Sequence, residues 1–169
     1  MHYALVKLQD YSGKYCNVYS ILPHKKDVTL FESFVYEQIE ERKTEILDIS
    51  TRIRLMGQKF GARYTYFKHF EGKYGDFVCA LYDLPGKTLR LYCIRFGTEV
   101  LILGGGGEKP KYIKAWQENP KLTYEASQMI QYAQDIAKRM LRGELYWSAD
   151  KTDLEGNFNY NDGEEHESN

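Results

Sequence analysis

The sequence predicts an α+β fold, on three observations. Two stretches with helical spacing, Phe31 to Ile39 and Ile46 to Phe60, precede a series of short β-rich segments between Arg63 and Leu103, and a third helical stripe, Ala126 to Leu141, follows them. Helices grouped before and after a run of strands give a helical hairpin, or one long helix, packed on a mostly antiparallel sheet with a C-terminal helix. The 169 residues hold no Pro/Gly/Ser-rich interior stretch, so one domain is expected over residues 1–149, with an acidic, mobile tail at 150–169. A hydrophobic share of 43% against 28% charged excludes wholesale disorder.

Taken in order, Tyr3 to Leu8 and Tyr15 to Leu22 are alternating or β-branched segments around Ser12-Gly13, an N-terminal β-hairpin over about residues 1–28. Thr29 and Glu32 have capping-box spacing, so a helix starts at Thr29 or Leu30. Ile46, Ile49, Ile53, Met56 and Phe60 continue the helical period, and Gly57 and Gly61 weaken and end it. Glu40 to Thr44 contains neither Gly nor Pro, which leaves a hairpin and a continuous helix equally open. Tyr64 to Phe70, Phe77 to Tyr82, Leu89 to Phe96 and Glu99 to Leu103 then form an antiparallel meander. The glycine run Gly104 to Gly107 is read as a flexible loop or as a close backbone approach at a nucleic-acid surface. A short helical piece near Tyr112 to Gln117, a break at Asn119-Pro120 and an amphipathic helix ending by Gly143 complete the domain.

Several classes of function fall away. No segment approaches the roughly 18 to 20 apolar residues of a membrane span, and the N-terminus lacks the pattern of a signal peptide, so a cytoplasmic protein is expected. Cys16, Cys79 and Cys93 are odd in number, apolar in setting and without C-x-x-C spacing, which reads as buried free thiols. The four histidines are scattered, carboxylates do not cluster and no Walker motif occurs, so neither metal nor cofactor is expected.

Charge is more informative than its net value of −1. Residues 59–114 hold ten Lys/Arg against five Asp/Glu, whereas residues 150–169 hold one against seven. A β-rich segment that concentrates cations attracts phosphates, and the 15% aromatic content adds rings that can stack on bases. The acidic tail could in turn fold over the basic face as an internal phosphate mimic.

On the strand Leu89 to Phe96, alternation puts Arg90 and Tyr92 on one polar face, roughly 7 Å apart, with Leu89, Leu91 and Cys93 on an apolar one. Lys68 and His69 end the first strand of the meander, and Lys109 and Lys111 follow its last. If these meet on a concave sheet surface they suit RNA cleavage by side chains alone: the 2′-hydroxyl attacks the phosphate while cations hold the charge that develops. Arg90, Lys68, Lys109 and Tyr92 form the candidate catalytic set, with Arg63, His69, Lys73, Arg95, Lys111 and Lys114 as RNA-binding residues.

The same residues resemble the RelE/HigB/ParE superfamily of toxin–antitoxin toxins, particularly its HigB-like, phage-derived branch. The likeness lies in Asp76 to Lys111, an arginine-bearing strand Leu-Arg-Leu-Tyr-Cys-Ile-Arg-Phe-Gly followed by Val-Leu-Ile-Leu-Gly-Gly-Gly-Gly-Glu-Lys-Pro-Lys, and in element order extends over roughly residues 30–143. The resemblance implies a RelE-like fold and an endoribonuclease that cuts mRNA, free or on the ribosome, and is held inactive by a helix-bearing antitoxin, itself a helix-turn-helix protein. It matches Arg90 to the arginine facing the scissile phosphate, Lys109 to the cation after the last strand and Lys68 to the basic residues before the second; Tyr92 is proposed only from its face. The hairpin, the glycine run and the acidic tail depart from the family pattern. Two alternatives stand beside this: a non-catalytic nucleic-acid or protein-binding module on the same fold, and a gyrase-inhibiting toxin.

Overall fold

The computed structural model describes residues 1–69, 77–109 and 119–161. It is α+β, with a mixed six-stranded sheet between two layers of other elements. Strands β1 (Tyr3–Lys7) and β2 (Asn17–Pro23) form the expected hairpin. Helix α1 (Leu30–Gln38) starts at Thr29, whose side chain accepts the Glu32 amide while Glu32 reaches back to the Thr29 amide. Arg42 leaves helical geometry (φ −133°, ψ 42°), so α2 (Lys43–Leu55) is a separate helix, and the hairpin rather than one long helix forms. A wide helical turn, Met56–Phe60, ends at Gly61 with φ 73°, and a tight turn, Tyr64–Tyr66, leads into β3 (Phe67–Lys68).

The meander continues with β4 (Val78–Leu81), β5 (Leu89–Phe96) and β6 (Val100–Glu108), all antiparallel. Strand order is β1-β2-β6-β5-β4-β3, and β2 runs parallel to β6 across the α1–α2 crossover. Helix α3 (Pro120–Leu141) starts on Asn119, which accepts the Leu122 amide, with Pro120 in the first turn where its missing N–H costs nothing.

Both faces of the sheet are covered. Val18, Cys79, Leu89, Leu91, Cys93, Leu101 and Leu103 pack against α1 and α2, while Tyr19, Ile21, Ala80, Tyr92, Ile94 and Ile102 pack against α3. The open polar face expected on the Arg90 side of β5 is therefore an interior face, because α3 lies across it.

The glycine run is where that helix comes closest. Gly104 to Gly107 belong to β6 and form no loop. A Cβ at Gly104 would stand 2.4 Å from Met129, at Gly105 2.4 Å from Glu125, and at Gly107 3.1 Å from Lys121. Those three residues are one α-helical turn apart, so a single stripe of α3 rests on the bare backbone of β6. Gly106 answers a different constraint: its Cβ would lie 1.8 Å from the Arg90 carbonyl oxygen, beside the register shift between Leu91 and Cys93.

Residues 150–161 of the tail are folded onto the domain, contrary to the expectation of a mobile extension over that stretch. Strands β7 (Leu145–Trp147) and β8 (Leu154–Gly156) pair, Leu154 and Tyr160 are buried, and Tyr160 N–H donates to the Tyr3 carbonyl at 2.8 Å. Charge alone misleads here, because apolar residues alternate with the acids and Asp153 is itself bound by Lys7 (2.6 Å) and Tyr19 (2.5 Å). The segment lies on the β1 edge of the sheet, away from the β3 edge, so residues 150–161 do not cover the basic meander. The short helix expected near Tyr112 to Gln117 falls outside the described residues. All three cysteines are buried thiols; burial pushes that of Cys16 up to about 12 and that of Cys93 well above its ordinary value.

Two outcomes follow from this packing. Gly106→Ala should cost about 3 kcal/mol or prevent folding, whereas Gly107→Ala, which meets a flexible lysine and, at ordinary contact distance, Leu122, should stay within about 1 kcal/mol of the wild type; thermal unfolding followed by circular dichroism measures both. Ending the chain at Ala149 should lower the melting temperature, since burying a side chain such as Leu154 contributes about 2 kcal/mol.

Candidate functional site

Lys68 and Lys109 do come together. They leave opposite parts of the meander, Lys68 from β3 and Lys109 one residue after β6, where its N–H donates to the Thr88 carbonyl at 2.7 Å. Both ammonium groups bind the same oxygen of Asp83: Lys68 Nζ donates to Oδ2 at 3.1 Å, and Lys109 Nζ makes a shorter contact. Only 8% of the Asp83 side chain is exposed, and its other oxygen, Oδ1, is buried without a hydrogen-bond partner among the described residues. Burial alone would raise the Asp83 pKa, but hydrogen bonds and charge from Lys109 and Lys68 outweigh it and hold the carboxyl below its usual range. Two cations thus grip an anion at the end of the sheet, and the anion is the protein's own.

Arg90 and Tyr92 share a face, as alternation along β5 requires. They line a cleft of about 200 Å³ with Leu122, Thr123, Ala126, Ser127 and Ile130 of α3. Tyr92 is 3% exposed and packs in the α3-side core, so it lies beneath the helix rather than on an open surface. Lys68 opposes Ala80, which opposes Tyr92, and this register puts Lys68 on the same sheet face as Arg90 and Tyr92.

Three of the residues expected to bind RNA gather elsewhere, around Tyr64. The His69 ring stacks on the Tyr64 ring at 3.7 Å and 9°, and His69 Nε2 lies 2.7 Å from the Tyr64 carbonyl oxygen. Arg95 donates from Nε to the Ala62 carbonyl at 2.6 Å, with its guanidinium 5.6 Å from the centre of the Tyr64 ring. Arg63 donates from Nε to the Phe60 carbonyl at 3.2 Å and sits over the Phe60 ring at 5.4 Å. Lys73, Lys111 and Lys114 lie outside the described residues.

Sequence reasoning misses two residues of these sites. Asp83 directly precedes the Leu84-Pro85-Gly86 turn and passes for part of it; the usable signal is its position as an isolated acid inside the basic segment. Tyr64 reads as a strand residue, whereas a tight turn exposes it. No family model, curated protein or solved structure matches the chain. Among the described residues no helix is long and apolar enough to cross a membrane.

The Asp83 clamp has a pH signature. Because the folded-state pKa lies below the unfolded value, the clamp contributes stability above pH of about 4, and this is lost as pH falls through the lower folded value. Wild type should therefore be more stable than Asp83→Asn at pH 6, and the gap should close below pH of about 4, as measured by urea unfolding at a series of pH values.

Proposed function

We propose that this chain is a RelE/HigB-like toxin that cleaves RNA through its own side chains and is held in check by a helix-bearing antitoxin. The observation that carries the reading is the convergence of Lys68 and Lys109 on one anion, at the edge of the sheet face that bears Arg90. Two ammonium groups already spaced to share one oxygen can share a phosphate oxygen equally well. The order of elements supports it too: a helical hairpin, four antiparallel strands with Arg90 on the third, a cation just past the last strand, then a helix.

In this reading the phosphate displaces Asp83 from the lysines. The 2′-hydroxyl attacks phosphorus, a 2′,3′-cyclic phosphate forms and the bond to the 5′-oxygen breaks; the hydroxyl's proton leaves to a base and the 5′-oxygen gains one. Arg90 offsets charge on the five-coordinate phosphorus, and Lys68 and Lys109 bind its oxygens, one of them able to protonate the leaving group. Tyr92 has no part in this scheme, since it is buried, whereas Arg90 beside it is only half-buried.

A second reading, a nucleic-acid-binding module without catalysis on the same fold, is favoured by one observation: Asp83 already occupies both lysines. Inducible expression separates the two. Wild type should arrest growth and generate new mRNA ends bearing 5′-hydroxyls, and Arg90→Ala and the Lys68→Ala/Lys109→Ala double variant should each reduce cleavage by about 100-fold or more. Arrest without new ends would point to gyrase inhibition, and absence of arrest to the binding module.

A further inference from the structure

We propose that the surface around Tyr64 is a stacking site for the bases of single-stranded RNA, distinct from the Lys68–Lys109 clamp. The proposal rests on the reading of the chain as RNA-directed and does not require that it cut RNA. Tyr64 keeps 57% of its surface in solvent despite the contacts of His69 and Arg95, and Phe60 and Tyr15 nearby keep 43% and 48%. Tyr15 is tied to the same turn, its N–H donating to the Gly57 carbonyl at 2.9 Å. Large exposed rings are costly to leave in water, and here three of them gather beside one glycine turn.

Both arginines of the group are held beside a ring by a bond to backbone, Arg95 on Ala62 and Arg63 on Phe60. The His69 ring stacks on Tyr64, and Lys14 sits over the Tyr15 ring at 5.9 Å. With both arginines anchored through Nε, their charge stays beside the rings without the ordering cost that a free side chain meets on binding. Alternating rings and fixed cations match the alternating bases and phosphates of a single strand, and stacking accepts any base because every base has a π-face. Among the described residues, Glu99, held by Thr98 Oγ1 at 2.9 Å, is a carboxylate bordering the group.

Binding of the full chain to a fluorescent uridine-rich 2′-O-methyl oligonucleotide, which cannot be cleaved through its 2′-position, reads this site apart from catalysis. Tyr64→Ala should weaken binding by about 5- to 100-fold, and Tyr64→Phe, which keeps the ring, should restore it. Arg63→Ala should reduce the slope of log affinity against log salt by about 0.7, the share of one phosphate on a single strand. Circular dichroism checks that each variant is folded. Unchanged affinity in folded Tyr64→Ala, a loss that Tyr64→Phe does not restore, or equally tight binding of polyglutamate with no dependence on Tyr64, each overturns the proposal. The two readings fail separately: tight, Tyr64-dependent binding with no cleavage of unmodified RNA removes only the nuclease, and cleavage with full affinity in Tyr64→Ala removes only the stacking site.

Discussion

The close seating of α3 on the glycines of β6 is the contact on which the rest of the molecule depends. β6 lies at the middle of the sheet, pairing with β2 on one side and β5 on the other, and its first four residues send side chains to both layers. Farther along, side chains give way to bare backbone, and Lys121, Glu125 and Met129 take the vacated space. A helix brought that near buries Tyr92 and leaves Arg90 half-buried in the cleft between β5 and α3.

Buried charge on the covered side obeys the same logic. Asp135, among the rings of the α3 layer, accepts from Tyr3 at 2.8 Å and Arg139 at 2.7 Å, which keeps its carboxyl below the ordinary range although burial opposes this. Arg139 in turn lies 3.8 Å from the centre of the Tyr160 ring and so fastens the C-terminal segment to α3. An ion pair that also touches two rings loses less on dehydration than a bare one, because hydrogen bonds and ring faces replace part of the lost water. The acids that make the tail look mobile are thus partly structural: Asp153 holds Lys7 and Tyr19 in the same manner.

How much of this is legible can be stated residue by residue. Thr29 and Glu32, Asn119 and Pro120, and the limits of β5 are readable because caps and strand alternation are local, set by neighbours within a few positions. The glycine run is neither the flexible loop nor the nucleic-acid surface that the sequence suggests, because β6 meets α3 through tertiary packing that no short window contains. The polar face predicted for β5 fails for the same reason: alternation says which side chains share a face, and only the path of α3 says whether that face meets water. The tail is misread because a charge count weighs every acid alike, whereas Leu154 and Tyr160 decide where the segment goes.

Lys68 and Lys109 converge on a carboxylate, and that carboxylate changes the meaning of their pairing. Two ammonium groups held near one another without a counter-ion would repel, and at the end of a sheet where water is partly excluded that repulsion is strong. Asp83 removes it and lets the pair exist in the folded chain before any ligand arrives. A phosphate diester carries one negative charge, as does the carboxylate, so exchanging one for the other leaves the charge of the clamp unchanged. What the exchange must supply is the dehydration of the phosphate and of the released Asp83, and a lone clamp has little to offset that. A separate surface that takes hold of neighbouring nucleotides can, because binding energy gained at a distance is available at the reacting centre only when both belong to one strand. In the proposed reading, the Tyr64 group would hold the strand while the lysine clamp meets its phosphate.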